Sequence, residues 1–291
     1  MVIVNGVKVS EKEKRQRLTQ EKKSRNISAW DVVKISRHPK RPIFQDYLER
    51  IFTNFVELHG DRAFGDDRAI IGGFAQIGNQ KVMVIGHNKG KNTTEQIERN
   101  FGMAKPEGYR KALRLMKLAQ RFNLPVITVI DTPGAFPGLE AEERGQAESI
   151  ARNITEMANI EVPIISLVIG EGGSGGALGI GVGDRILMLS NAIYSVISPE
   201  GCASILWRDA KFAPDAAKAL NITAEALYKL DIIDEIIEEP TEGAHADYQQ
   251  IAANVKRSLL RNLRNLSNIS VYELLEQRFE KYAAMGKFAV D

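Results

Sequence analysis

Apolar positions fall into a few distinct patterns along the 291-residue chain, and each predicts its own element. Ala69 to Ile77 and Lys81 to Gly86 are two mainly apolar stretches joined by Gly78-Asn79, a pair suited to tight turns, so they predict a β-hairpin. After Pro106, which suits a first helical turn, Tyr109, Ala112, Leu113, Met116 and Ala119 recur at helical spacing. Leu124 to Ile130 and Pro163 to Ile169 are continuous apolar runs of the kind that strands buried on both faces carry. Between them Ala147, Ile150, Ala151, Ile154 and Met157 mark one face of a helix predicted over about 142–158. Short strands follow at 185–189 and 192–197, then helices from about Pro214 and Asp247. Alternation of strand and helix implies an α/β domain whose largely parallel sheet is covered by helices.

Ligands of such sheets sit at the carboxyl ends of strands, and two unusual loops fall there. One is Asp131-Thr132-Pro133-Gly134-Ala135-Phe136-Pro137-Gly138. The other runs from Gly170 to Gly181 and holds seven glycines, among them Gly172, Gly173, Gly175 and Gly176. Glycine carries no side chain and tolerates positive φ, so such a turn brings bare backbone N–H groups against a ligand. A helix beginning at Ala177-Leu178 would add its positive end and make an anion or oxyanion site.

Outside the predicted sheet the pattern turns polar. A short exposed helix is expected around Glu11 to Lys23, and Pro39 and Pro42 disfavour its continuation. The chain therefore divides into a basic N-terminal helical arm (1–41), a body (42–239) and a C-terminal helical extension (240–291). Net charge is only +2, yet residues 1–41 carry 12 Lys+Arg against 4 Asp+Glu, leaving the remainder acidic. A basic arm binds nucleic acid or an acidic partner, or packs as a solvated helix on the body or another subunit. No aromatic residue lies among the first 29, so stacking on bases has no support. On the predicted helix after Pro106, Arg110, Lys111, Arg114, Lys117 and Arg121 read as a solvated face, with the phosphates of a nucleotide-bearing substrate as the alternative.

With 44% hydrophobic residues and no apolar run long enough to span a bilayer, the composition is that of a soluble globular protein. The start Met1 to Gly6 lacks a secretory pattern, so cytoplasmic residence is expected. A single cysteine, Cys202, excludes an internal disulfide, and the four histidines stand too far apart to suggest a metal site.

Familiar phosphate motifs fail on spacing. Gly86 to Lys91 separates its glycines by three residues and follows the lysine with Asn92, where a P-loop needs four residues and then Ser or Thr. Asp184 lies too near the glycine turn to serve as the ribose-binding acid of a dinucleotide fold. Gly172-Gly173-Ser174-Gly175-Gly176 matches the Gly-x-Ser-x-Gly nucleophile elbow, but only His245 follows it, in a polar stretch, and Cys202 has no adjacent base. What remains is a site of backbone donors with few side-chain acids or bases, suited to stabilising an enolate or ureido anion.

Four long motifs now become recognisable together: Lys105 to Lys117, Asp131 to Gly138, Gly170 to Gly179, and Tyr194 to Trp207. In this order they resemble the carboxyltransferase alpha subunits of bacterial-type acetyl-coenzyme A carboxylase, over a body from about Pro42 to Glu239. The resemblance implies a crotonase-like fold of repeated ββα units. It implies transfer of carboxyl from carboxybiotin, borne on a biotin carboxyl carrier protein charged by biotin carboxylase, to acetyl-coenzyme A, giving malonyl-coenzyme A for fatty acid synthesis. It further implies an α2β2 assembly with a beta subunit that bears a four-cysteine zinc ribbon, a site this chain cannot supply. On this reading the N–H groups of Gly175 and Gly176, with Ala177 as neighbour, stabilise the ureido oxygen. Gly172 and Gly173 line the biotin pocket, and Gly134, Ala135 and Phe136 shape its opposite wall. Two other classes stay open: a self-contained acyl-coenzyme A hydratase or decarboxylase using Glu171 or Glu140, and a scaffold subunit binding nucleic acid through its arm.

Overall fold

A computed structural model describes residues 27–286 and, ahead of them, an antiparallel strand pair, β1 (Val2–Val4) and β2 (Val7–Val9). The helix expected at 11–23 lies outside the described residues. Helix α1 (Ala29–Ser36) begins on a capping box formed by Ser28 and Asp31, and α2 (Phe44–Ile51) follows the Pro39 and Pro42 stretch.

The hairpin forms as its pattern dictates. β3 (Thr53–Glu57) pairs antiparallel with β4 (Ile70–Ile77), and β4 with β5 (Gln80–His87), Ile77 opposite Gln80 across the Gly78-Asn79 turn. After α3 (Thr93–Glu98) and α4 (Pro106–Arg121), the buried-type runs become β6 (Val126–Thr132) and β7 (Ile164–Gly173), parallel to β5 and to each other. All seven residues of β6 are buried, as a strand covered on both faces requires. β8 (Arg185–Leu189) and β10 (Glu235–Ile237) extend the sheet to the order β10-β8-β7-β6-β5-β4-β3, while the short β9 (Ile193–Ser195) pairs with the end of β7.

Helix α4 buries Tyr109, Ala112, Leu115, Met116 and Ala119 against β4 and β5. Its cationic face is not simply solvated. Lys111 is buried and bonds Asp66 at 2.5 Å and the Asp67 carbonyl at 2.8 Å, Arg110 pairs with Asp61 at 2.7 Å, and Arg114 donates to Gly60 O. The segment 59–67 folds over the helix and brings carboxylates to it, a contact that helical periodicity does not encode.

The helix expected over 142–158 is two, α5 (Leu139–Glu143) and α6 (Gln146–Ala158), broken where Gly145 takes φ 81°. Its buried face is also turned from the expected one: Gln146, Ser149, Asn153 and Met157 point inward while Ala147 and Ala151 are exposed. The polar side chains serve loop carbonyls. Gln146 Nε2 donates to Ala104 O and Phe136 O, and Asn153 Nδ2 to Tyr109 O and Gly179 O. Beyond the sheet lie α7 (Ser174–Leu178), α8 (Pro199–Trp207), α9 (Ala213–Ala219), α10 (Ala224–Lys229), α11 (Tyr248–Leu266), capped by Asp247, and α12 (Val271–Ala283). Buried Arg278 docks α12, paired to Asp184 at 2.8 Å and donating to the carbonyls of Met157, Ile160 and Val162.

Candidate active site

The glycine turn opens where β7 ends. The helix starts earlier than Ala177: α7 spans Ser174–Leu178 with Gly173 as its N-cap, so Gly172 and Gly173 belong to the strand. In a helix that begins there, the N–H groups of Ser174, Gly175 and Gly176 have no carbonyl one turn earlier, whereas that of Ala177 reaches back to Gly173. No side chain caps them. Gly175 is half-buried, Ser174 is exposed, and Gly176 and Ala177 are buried. The free donors nearest the surface are therefore those of Ser174 and Gly175, with the buried Gly176 next to them and Ala177 anchoring the turn behind. From beneath, Tyr109 Oη donates to the Gly176 carbonyl at 3.4 Å and Asn153 holds Gly179 O at 2.8 Å.

Two loops about 40 residues apart in sequence meet here backbone to backbone. A Cβ on Gly176 would overlap the Gly134 carbonyl and stand 2.6 Å from Ala135 N. One on Gly173 would overlap the Pro133 carbonyl and stand 2.9 Å from Gly134 N. Only glycine permits that approach. Gly134 and Ala135 thus abut the turn and continue its surface. Open space lies beyond Gly134, and Ile150 of α6 flanks Gly175. Thr132 Oγ1 donates to Gly134 O at 2.6 Å and accepts from Gly134 N–H, which stiffens the loop. Phe136 is held through its N–H to Ala104 O at 3.1 Å, with the Lys105 ammonium 4.8 Å from its ring centre.

Under both loops lies a set of charges that no sequence motif announced. The Lys89 ammonium, just past β5, bonds Asp131 Oδ1 at 2.8 Å and Glu171 Oε2 at 3.0 Å. Arg37, which caps α1, bonds the other Glu171 oxygen at 2.7 Å and Glu200 of α8 at 2.5 Å. Burial by itself would raise the Glu171 pKa, but Lys89 and Arg37 hold it below the usual carboxylate range. Glu171 is thus a fixed carboxylate rather than a proton donor, and Glu140 stands in a loose pair with Lys105 at 3.5 Å. The signal for this network was present only as isolated charges beside apolar runs.

The remaining candidates lack the partners their chemistry needs. Ser174 takes φ 51°, as an elbow serine does, yet no acid or imidazole among the described residues hydrogen-bonds its hydroxyl. His245 is half-buried and stacked on His38 with ring centres 3.7 Å apart. His87, at the end of β5, is fully buried, and burial followed by the nearby Lys89 charge pushes its pKa down to about 3. Cys202 is a buried residue packed with Ala203 and Ala216.

Comparison with known proteins shows the family and the fold. The sequence profile of the family described as acetyl co-enzyme A carboxylase carboxyltransferase-like matches residues 4–286. The acetyl-coenzyme A carboxylase carboxyl transferase subunit alpha of Geobacter metallireducens is 58% identical over 264 residues, 91% of this chain and 83% of that protein. The subunit of the same name from Methylococcus capsulatus is 56% identical over 98% of this chain and 90% of its own length. Among solved structures, transcarboxylase 12S is 17% identical with a TM-score of 0.63, covering 91% of this chain and 47% of that one. The beta subunit of a Pseudomonas aeruginosa geranyl-CoA carboxylase is 18% identical with a TM-score of 0.61, covering 91% of this chain and 48% of its own. The chain thus spans about half the length of these two solved chains, whose likeness shows the crotonase-like fold. With the profile matched nearly end to end and relatives more than half identical, the chain belongs to the acetyl-coenzyme A carboxylase carboxyltransferase family, among its alpha subunits.

Proposed function

We propose that this chain carries out the carboxyltransferase half-reaction of acetyl-coenzyme A carboxylase, moving carboxyl from carboxybiotin to acetyl-coenzyme A to form malonyl-coenzyme A. The observation that carries the reading is the packing of the Gly173–Gly176 backbone on Gly134 and Ala135, which leaves uncapped N–H groups at a helix start beside open space. Carboxybiotin, brought by a carrier protein, supplies the activated carboxyl. The N–H groups of Gly175 and Gly176, with Ala177 behind them, meet the charge that develops on the ureido oxygen, as oxyanion donors do. Gly172, Gly173, Gly134, Ala135 and Phe136 line the biotin side of the site. No side chain at the turn is free to act as a general base, so the proton leaving the acetyl methyl is assigned to the biotin nitrogen from which the carboxyl departs.

The acyl-coenzyme A side of the site is assigned to a zinc-ribbon beta subunit, in an α2β2 assembly that also works with the biotin carboxyl carrier protein and biotin carboxylase. Cytoplasmic fatty acid synthesis is the setting that fits. Glu171, locked between Lys89 and Arg37, is a poor acid for the hydratase reading, which needs one able to exchange its proton and is left with Glu140.

The test is carboxyl transfer from malonyl-coenzyme A to biocytin by this chain alone, the beta subunit alone, and the two mixed. Activity confined to the mixture supports the proposal. Activity of this chain alone points to a self-contained acyl-coenzyme A enzyme, and activity in no sample revives the scaffold reading.

A further inference from the structure

The register of β7 against β6 breaks at the point where the site begins. Ile130 pairs with Val168, but the next pair is Thr132 with Gly172, so Ile169, Gly170 and Glu171 all stand opposite the single residue Asp131. The register thus shifts by two residues, as at an enlarged β-bulge, and such a shift re-aims the strand that contains it. Here the strand end re-aimed is the one that delivers Gly173 to Gly176 onto Gly134.

Every part of the bulge is held by a side chain from elsewhere. The Ile169 carbonyl accepts from Arg41 Nε at 2.8 Å, and the Glu171 N–H donates to Asp131 Oδ1 at 3.0 Å. The Asp131 carboxylate fills the space where a Gly170 side chain would go, its Cγ 2.9 Å from an ideal Cβ. The Asp131 and Glu171 carboxylates, only 6% and 12% exposed, are bridged by Lys89, and Glu171 is also tied through Arg37 to Glu200. Two buried carboxylates this close repel unless a cation stands between them. The charges face one another rather than the glycine surface, so nothing in the proposed reaction consumes them.

We infer that Lys89, Asp131 and Arg37 are positioning residues for carboxyl transfer: by holding the Ile169–Glu171 bulge they set where the Gly175 and Gly176 amides stand relative to Gly134. The inference rests on the transfer reaction proposed above. It also gives the C-terminal end of α1 a task, since Arg37 reaches from that helix to the residue three places before Ser174.

The experiment uses the full-length chain assembled with its beta subunit and measures malonyl-coenzyme A to biocytin transfer. Lys89→Met strands a buried negative charge on Asp131 and should lower kcat about 100-fold, the cost of a displacement near 1 Å, with KM for malonyl-coenzyme A within about threefold. Lys89→Met with Asp131→Asn removes both charges and keeps an oxygen to accept the Glu171 N–H. That double variant should recover kcat to within about tenfold of wild type. An unchanged kcat in assembled Lys89→Met, a rise in KM alone, or a double variant as impaired as the single one overturns the inference. Should Lys89→Met fail to assemble, the double variant decides: assembly with near wild-type kcat supports the inference, and failure overturns it. If the wild-type mixture transfers no carboxyl, the reaction proposal falls; if it does and the variants match it, only this inference falls.

Discussion

Gly176→Ala is the most direct perturbation of the proposed oxyanion site, because the smallest possible side chain already finds no room. Its Cβ would stand 2.6 Å from Ala135 N and closer still to the Gly134 carbonyl carbon, where ordinary contact begins at 3.4 Å. The obstacles are backbone atoms that cannot rotate aside, and Thr132 pins Gly134 through two hydrogen bonds. The turn and the 131–138 loop must therefore part by about 1 Å, which carries the Gly175 and Gly176 amides off their target. Losing one such donor costs about 100- to 1000-fold in kcat, or about 3–4 kcal/mol of barrier. Gly175→Ala makes the contrast. Its Cβ would meet only Ile150, at 3.7 Å, with the amide left in place, so a loss of about tenfold at most is expected. The assay is initial-rate transfer from malonyl-coenzyme A to biocytin by the assembled complex, with thermal unfolding measured on each variant. A folded, assembled Gly176→Ala complex within tenfold of wild type, or a Gly175→Ala complex equally impaired, would rule out an oxyanion site at the Gly176 amide.

Three further outcomes follow from the geometry. Ser174→Ala keeps the backbone N–H and should hold kcat within about threefold, since surface substitutions cost little; a loss beyond 100-fold would revive a serine nucleophile. Arg278→Met leaves Asp184 buried without its partner and should lower unfolding stability by about 3–5 kcal/mol in denaturant titration, whereas a change below 1 kcal/mol would mean that α12 docks without it. Glu171 binds its proton less readily folded than unfolded, so its contribution is present above the ordinary glutamate value of 4.5 and is lost as pH falls through the lowered folded pKa. Glu171→Gln should flatten the acid limb of the stability profile, and an unaltered limb would argue against the Lys89 and Arg37 pairing.

Much of the scaffold was legible before any coordinate. The hairpin around Gly78-Asn79, the buried runs that became β6 and β7, and α4 behind Pro106 each follow from a local periodicity that reports which side chains leave water. The two loops proposed to form the site were legible for a similar reason. Glycines and prolines crowded after a buried strand have few structural uses other than a turn or a close approach, so Gly170 to Gly181 and Asp131 to Gly138 identified themselves. Where the pattern misled, polar groups were the cause. The face of α6 turned because Gln146 and Asn153 satisfy loop carbonyls, and Lys111 left the solvent because Asp66 came to meet it.

Hydrophobic spacing and backbone freedom are properties of neighbouring residues, so the set of elements and the two glycine-bearing loops could be read from the chain alone. The tertiary structure alone decided how those loops meet. Strand order brings position 131 beside 171 and delivers Arg37 and Lys89 to the same buried point, and a bulge shifts the register of β7 as it emerges. Charge pairing acts through space over a few ångströms, and the fold, not the chain, sets which charges stand that close.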